Sequence, residues 1–146
     1  MKSINNYISE KLVINKDTGK KDFTEVSIYL NRNAYSHNRH NVDEPKMLTV
    51  SELEEIEDEP YCKGLLVWLK GKRSSDQIYA DRVYFDKDNK SNIKSTIYFN
   101  GTDKPKIVNV SEIKEIEYDS WGKCILIWFN DNSSYGQMRA SRIVFE

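Results

Sequence analysis

The apolar positions of this chain fall in short alternating runs broken by turn residues, with no sustained helical spacing. Residues 12–31 and 83–100 share an order: an apolar run, a Lys-Asp turn, then a run ending Ile-Tyr-(Leu/Phe)-Asn. Both predict β-hairpins, because β-branched and aromatic runs flank Asp, Asn, Gly and Lys. A third segment, 46–50 or 106–110, leads into Val-Ser-Glu-(Leu/Ile)-x-Glu-Ile-Glu. There Val50, Leu53 and Ile56 lie three apart, as do Val110, Ile113 and Ile116. This spacing predicts a tight turn or single helical turn running into a strand, with Ser51 and Glu54 placed for a capping box. The fourth segment, 64–70 and 124–130, is apolar on both strand faces, which predicts a central strand covered on both sides, with Trp68 and Trp128 in the core. In the fifth, 77–85 and 137–145, the apolar residues change parity, from Ile78 and Ala80 to Val83 and Phe85, and from Met138 and Ala140 to Ile143 and Phe145. Such a switch predicts a bulge or short turn at Asp81–Arg82 and Ser141–Arg142.

Each of these elements occurs twice. Residues 50–86 and 110–146 match without a gap, and 14 of the 37 pairs are identical, which makes duplication the economical explanation. The first repeat covers 1–81 and carries an inserted loop at 32–44; the second covers 82–146. The strand 82–86 closes the first copy and opens the second, so no linker separates them. A unit of about sixty residues is marginal alone, and the halves are expected to share a core. The expected fold is all-β with little helix: internally duplicated SH3-like or Sm-like small barrels, about five strands per copy, packed side by side.

Composition excludes several classes. With 31% charged and 12% aromatic residues the chain is neither disordered nor fibrous, and a net charge of -1 gives no global attraction to nucleic acid or anionic lipid. The apolar runs, such as 65–69, are too short to span a membrane, so a cytoplasmic location without membrane contact is expected. Cys62 and Cys124 stand at different repeat positions, facing Gly122 and Gly64, which fits reduced thiols and neither a duplicated metal cage nor a disulfide framework. No cofactor or metal is expected.

Three clusters are candidate sites. The 32–44 insertion, thirteen residues against four in the second copy, is cationic and aromatic through Arg32, Tyr35, His37, Arg39 and His40. The acidic run Glu52, Glu54, Glu55, Glu57, Asp58 and Glu59 is denser than its counterpart, which holds Lys114, Tyr118 and Ser120; a row of carboxylates can imitate nucleic-acid phosphates in a basic groove. Lys63, Lys70, Lys72 and Arg73 form a basic cluster suited to single strands. Among polar pairs kept in both copies, Arg82 and Arg142 are expected to pair with Glu55/Glu115 or Glu57/Glu117.

Residues 97–146, from IYFNGTDKPK through VSEIKEIEYD to SRIVFE, together with the Asn- and Lys-rich composition, resemble the small duplicated β-barrel accessory proteins of bacteriophages and mobile elements of AT-rich Gram-positive bacteria. The resemblance implies a non-enzymatic protein that blocks a host defence system, and it assigns no residue. The resulting expectation is a non-catalytic protein-binding module, an inhibitor of a host nuclease or defence enzyme, acting as monomer or homodimer through Arg32, Tyr35, His37, Arg39, His40, Glu52, Glu54, Glu55, Glu57 and Asp58. The alternative is an oligonucleotide- or nucleotide-binding barrel that uses Lys70, Lys72 and Arg73.

Overall fold

A computed structural model of the chain describes residues 13–14, 21–35, 43–101 and 104–146. Two short strands, β1 (Val13–Ile14) and β2 (Lys21–Asp22), pair with each other. The first copy supplies β3 (Glu25–Leu30), β4 (Lys46–Thr49), β5 (Leu53–Glu59), β6 (Gly64–Leu69) and β7 (Ile78–Phe85). The second supplies β8 (Lys94–Tyr98), β9 (Lys106–Asn109), β10 (Ile113–Asp119), β11 (Cys124–Phe129), β12 (Gln137–Ala140) and β13 (Arg142–Phe145). Among the described residues the helical elements are three 3₁₀ turns, Val50–Glu52, Ser74–Asp76 and Val110–Glu112. The all-β expectation holds, and so does the single turn leading into β5 and β10.

The capping box forms two residues earlier than the spacing predicted: the Glu52 carboxylate accepts the Thr49 backbone N–H at 2.8 Å, and the Thr49 and Ser51 hydroxyls lie 2.9 Å apart. Glu54 falls where β5 shifts register against β6 and is exposed. In the second copy Asn109 replaces Thr49 and donates to Ser111 Oγ at 3.0 Å, while Glu112 accepts from Ser133 Oγ at 3.2 Å.

Pairing crosses between the copies. The first half of β7 pairs with β6, but its second half pairs with β10, setting Arg82 opposite Glu117, Val83 opposite Ile116 and Tyr84 opposite Glu115. In the same way β12 pairs with β11, and β13 then crosses to β5, setting Arg142 opposite Glu57, Ile143 opposite Ile56 and Val144 opposite Glu55. The ladders thus run β5–β6–β7–β10–β11–β12, and through Ser141 into β13 and back to β5, one antiparallel sheet curled around one core. The hairpins β3–β4 and β8–β9 extend it from β7 and β13. These replace the hairpins expected within 12–31 and 83–100: β1 pairs with β2 and leaves β3 to β4 and β7, and β8 pairs with β9 and β13 because the second half of β7 has crossed to β10.

The parity switch marks the place where each strand leaves its own copy. Asp81 is skipped in the ladder between β3 and β7, and Ser141 interrupts the second copy's strand, its N–H and hydroxyl both donating to the Tyr98 carbonyl. Beyond the switch Phe85 and Phe145, repeat mates, place their rings 6.2 Å apart, so the pseudo-twofold axis passes between them. Ile56, Ile116, Val83 and Ile143 are wholly buried in the single core to which both copies contribute.

The tryptophans depart from expectation. Leu65, Val67 and Leu69 fill the core, whereas Trp68 and Trp128 stand on the outer face of the curl. Their Nε1 atoms donate to Glu57 at 3.0 Å and Glu117 at 3.3 Å, and Trp128 is 37% exposed. Among the described residues nothing covers this face completely, so each indole lies across the neighbouring strand and satisfies its N–H on a cross-strand carboxylate.

Candidate functional site

The 32–44 loop leaves β3 through a buried amide. Asn31 is 1% exposed; its Nδ2 donates to the Cys62 carbonyl at 3.2 Å and to Asp81 Oδ1 at 2.8 Å, and its Oδ1 accepts the N–H groups of Asn33 and Ala34 at 2.9 Å. Burial pushes the Asp81 carboxyl up from its ordinary value, against the pull of Arg82, Arg32 and the Asn31 hydrogen bond. The Tyr35 hydroxyl accepts the Tyr79 N–H at 3.0 Å, with the two rings edge to face, so Tyr35 closes this end of the sheet. Arg32 pairs with Asp43, both on the exposed surface. His37, Arg39 and His40 lie outside the described residues.

The acidic run is largely engaged by the fold. Glu52 caps the 3₁₀ turn, Glu57 holds the Trp68 indole, and Glu59 accepts the Tyr61 N–H at 2.9 Å. Glu55 takes Arg142 Nη1 at 2.6 Å, and the Arg142 guanidinium sits 4.0 Å over the Tyr98 ring. The mirror pair, Arg82 with Glu115, is longer at 3.9 Å, and Arg82 also donates to the Tyr84 hydroxyl. The expected arginine–glutamate pairing therefore forms, and it ties one copy to the other. Glu54 is exposed and has no hydrogen-bond partner among the described residues. Arg142→Ala should cost about 1.5 kcal/mol, since a half-buried ion pair and a cation–π contact go together, and Arg82→Ala about 0.5 kcal/mol. Urea midpoints of the two variants give the order directly, and the reverse order would refute this account of the pairs.

The basic cluster is divided. Lys70 Nζ donates to the Glu146 carbonyl, Arg73 pairs with Asp76 at 3.5 Å, and Lys72 is exposed. The structure does not bring these residues together with Arg32.

The two hairpin tips carry the most unusual side chains. Tyr61, between β5 and β6, is 97% exposed, and its repeat mate Trp121, between β10 and β11, is 93% exposed. Two positions on, Lys63 and Lys123 both adopt positive φ, 54° and 51°. Glycine or asparagine takes that conformation at less cost, by about 1 kcal/mol, yet both copies place lysine there. Neither lysine has an ion-pair partner among the described residues. The tips share one end of the sheet, where the Asp58 charge reaches Tyr118, its repeat mate. Burial raises the Asp58 carboxyl first, with Glu59 adding to it, and burial likewise raises Tyr118, whereas Arg139 at 2.7 Å holds Asp119 below its ordinary value. The Cys62 and Cys124 thiols are also pushed up by burial, with Glu59 and Asp119 respectively adding to the effect, which disfavours a reactive thiolate.

Sequence reasoning passed over the tips because Tyr61 and Trp121 are not identical. The available signal was an aromatic at one turn position in both copies, followed by a retained lysine. Among the described residues no group of three or more His, Cys, Asp or Glu side chains is placed to hold a metal ion, and no helix is long and apolar enough to cross a membrane. Compared with known proteins, the chain matches no family model, no curated protein and no solved structure.

Proposed function

We propose that the protein is a non-catalytic module that binds a protein partner, with Tyr61 and Trp121 as its anchors. The observation that carries this reading is the near-complete exposure of two large aromatics at equivalent tips. A fold gains little from a tyrosine or tryptophan in water, whereas these residues dominate binding energy when a partner's pocket desolvates them. Lys63 and Lys123 beside them favour an acidic rim around that pocket. Two tips related by a pseudo-twofold axis suit a partner with matching symmetry.

The narrower reading, an inhibitor that offers its acidic run to a nuclease or defence enzyme, keeps Glu54 as its freest carboxylate. Reversing Glu55 or Glu57 would also break the Arg142 and Trp68 contacts, so Glu54→Lys is the clean test of that run.

For the tips, Tyr61→Ala and Trp121→Ala should each weaken partner binding at least tenfold and leave the urea midpoint unchanged. The measurement is affinity capture from host cytosol, read by mass spectrometry, with wild type and both variants as bait. Equal capture by all three baits would overturn the assignment of the tips, and recovery of nucleic acid alone would overturn the protein reading.

A further inference from the structure

The second copy carries a run of concavities around its 130–136 loop, outside the insertion, the acidic run and the basic cluster. A hollow of about 720 Å³ has Trp128 and Tyr135 in its wall, and one of about 500 Å³ has Tyr84 and Lys87. Lys114, Asn130 and Asp131 line both. A third, of about 340 Å³, shares Asn89, Ser111 and Asn132 with the second and adds Lys90 and Asn109. The shared walls make the three hollows neighbours along one surface.

Some of these residues build the walls. Asn89 Nδ2 donates to the Val110 carbonyl at 2.8 Å and Asn130 Nδ2 to the Ser111 carbonyl at 2.9 Å. Others play no such part, since Lys87, Lys90 and Lys114 make no ion pair among the described residues. Asn109 Oδ1 is buried with no hydrogen-bond partner. A buried acceptor left unpaired is costly, and the first copy avoids that cost with Thr49, whose hydroxyl meets Ser51. The first copy also lacks the other elements of the surface, with Glu54 at the position of Lys114 and Ser75 at that of Tyr135.

We propose that this surface binds a nucleotide unit. The indole of Trp128 offers a partly exposed face for a planar base. Lys114, on the wall between the first two hollows, and Lys87 beyond it supply cations for phosphate. Asp131, which lines both of the first two hollows, accepts a ribose hydroxyl or a base amino group. A neutral sugar would leave the lysines unused, and inorganic phosphate would leave the aromatic wall unused; a nucleotide uses both. The 720 Å³ hollow falls within the range of small-molecule sites. The ligand is a free nucleotide or one unit of a single strand.

The test uses the full chain with Trp68→Phe and Trp121→Phe, so that Trp128 is the sole tryptophan. Fluorescence quenching reads AMP, and anisotropy reads a fluorescein-labelled deoxyadenosine octamer. Binding is expected with Lys87→Glu and Lys114→Glu each weakening it at least fivefold; both side chains are exposed, so the fold should tolerate them. Two phosphate contacts predict that octamer affinity falls roughly sevenfold between about 50 and 200 mM salt. AMP binding without the octamer identifies a free nucleotide, and octamer binding with much weaker AMP binding identifies a strand; either supports the site. No response to either probe up to about 1 mM, the upper end of ordinary ligand affinities, or binding indifferent to both lysine variants, overturns it. Tyr61→Ala leaves binding unchanged, which separates this result from the outcome for the tips.

Discussion

Gly64→Ala should destabilise the protein by about 3 kcal/mol, at the upper end of what one added methyl usually costs. A Cβ at residue 64 would lie 2.5 Å from Asn31 Nδ2 and 2.6 Å from the Ala80 carbonyl oxygen. Neither atom can retreat easily. Ala80 is strand backbone paired to Leu65 and Leu30, and the Asn31 amide is held by the Cys62 carbonyl and Asp81. The second copy carries Cys124, buried, at this position. The exchange of cysteine and glycine between copies follows: Asn31 crowds residue 64, so the first copy keeps its sulfur at residue 62. A Cβ on Gly122 would lie 3.1 Å from Cys124 Sγ, so the second copy does the reverse. Asn31→Ala should itself cost about 2–3 kcal/mol by removing a four-bond hub, but in that background Gly64→Ala should cost about 1 kcal/mol less than alone, a coupling typical of residues in contact. Urea unfolding of the four proteins measures this coupling, and strict additivity would show that the contact is not the cause.

What could be read from the sequence was local. Alternation gave the strands but not the partners of the two expected hairpins, the three-residue spacing gave the turns at Val50 and Val110, and the parity change located the bends at Asp81 and Ser141, because each of these is written in a few neighbouring residues. The arginine–glutamate pairs were also legible, since four charges retained at fixed repeat positions need partners. Which edge each strand seeks is not encoded so simply: the run 142–145 is equally apolar whether it adds to β10 or to β5. Trp68 and Trp128 misled for a related reason, as an apolar residue on the second face of a strand does not say whether that face is covered. At the level of the site, attention to differences between the copies led to the 32–44 loop, while Tyr61 and Trp121 share a character that a count of identities misses. The second copy looked plainer because its loop 130–136 carries no basic residue where the first copy has Lys70, Lys72 and Arg73, yet the hollows lie there. Concavity depends on how that loop stands over β10 and β11, a tertiary relation absent from its residues.

The crossing of β7 and β13 predicts that damage to one closing strand weakens both halves. Ile143 is wholly buried on β13, a strand of the second copy that pairs with Ile56 of the first. Ile143→Ala should cost about 3–4 kcal/mol, because the cavity would be walled by backbone paired on both sides that cannot collapse into it. Two reporters show where the loss is felt. With Trp121→Phe and Trp128→Phe, Trp68 follows the first copy; with Trp68→Phe and Trp121→Phe, Trp128 follows the second. In either background, fluorescence and circular dichroism should give one coincident unfolding transition, displaced equally by Ile143→Ala. Two half-molecules that closed separately would behave otherwise, with the Trp128 transition falling and the Trp68 transition staying in place. Such a split would contradict the cross-copy ladder. A common displacement would mean that the two repeats hold their stability jointly, each supplying the strand that completes the other's sheet.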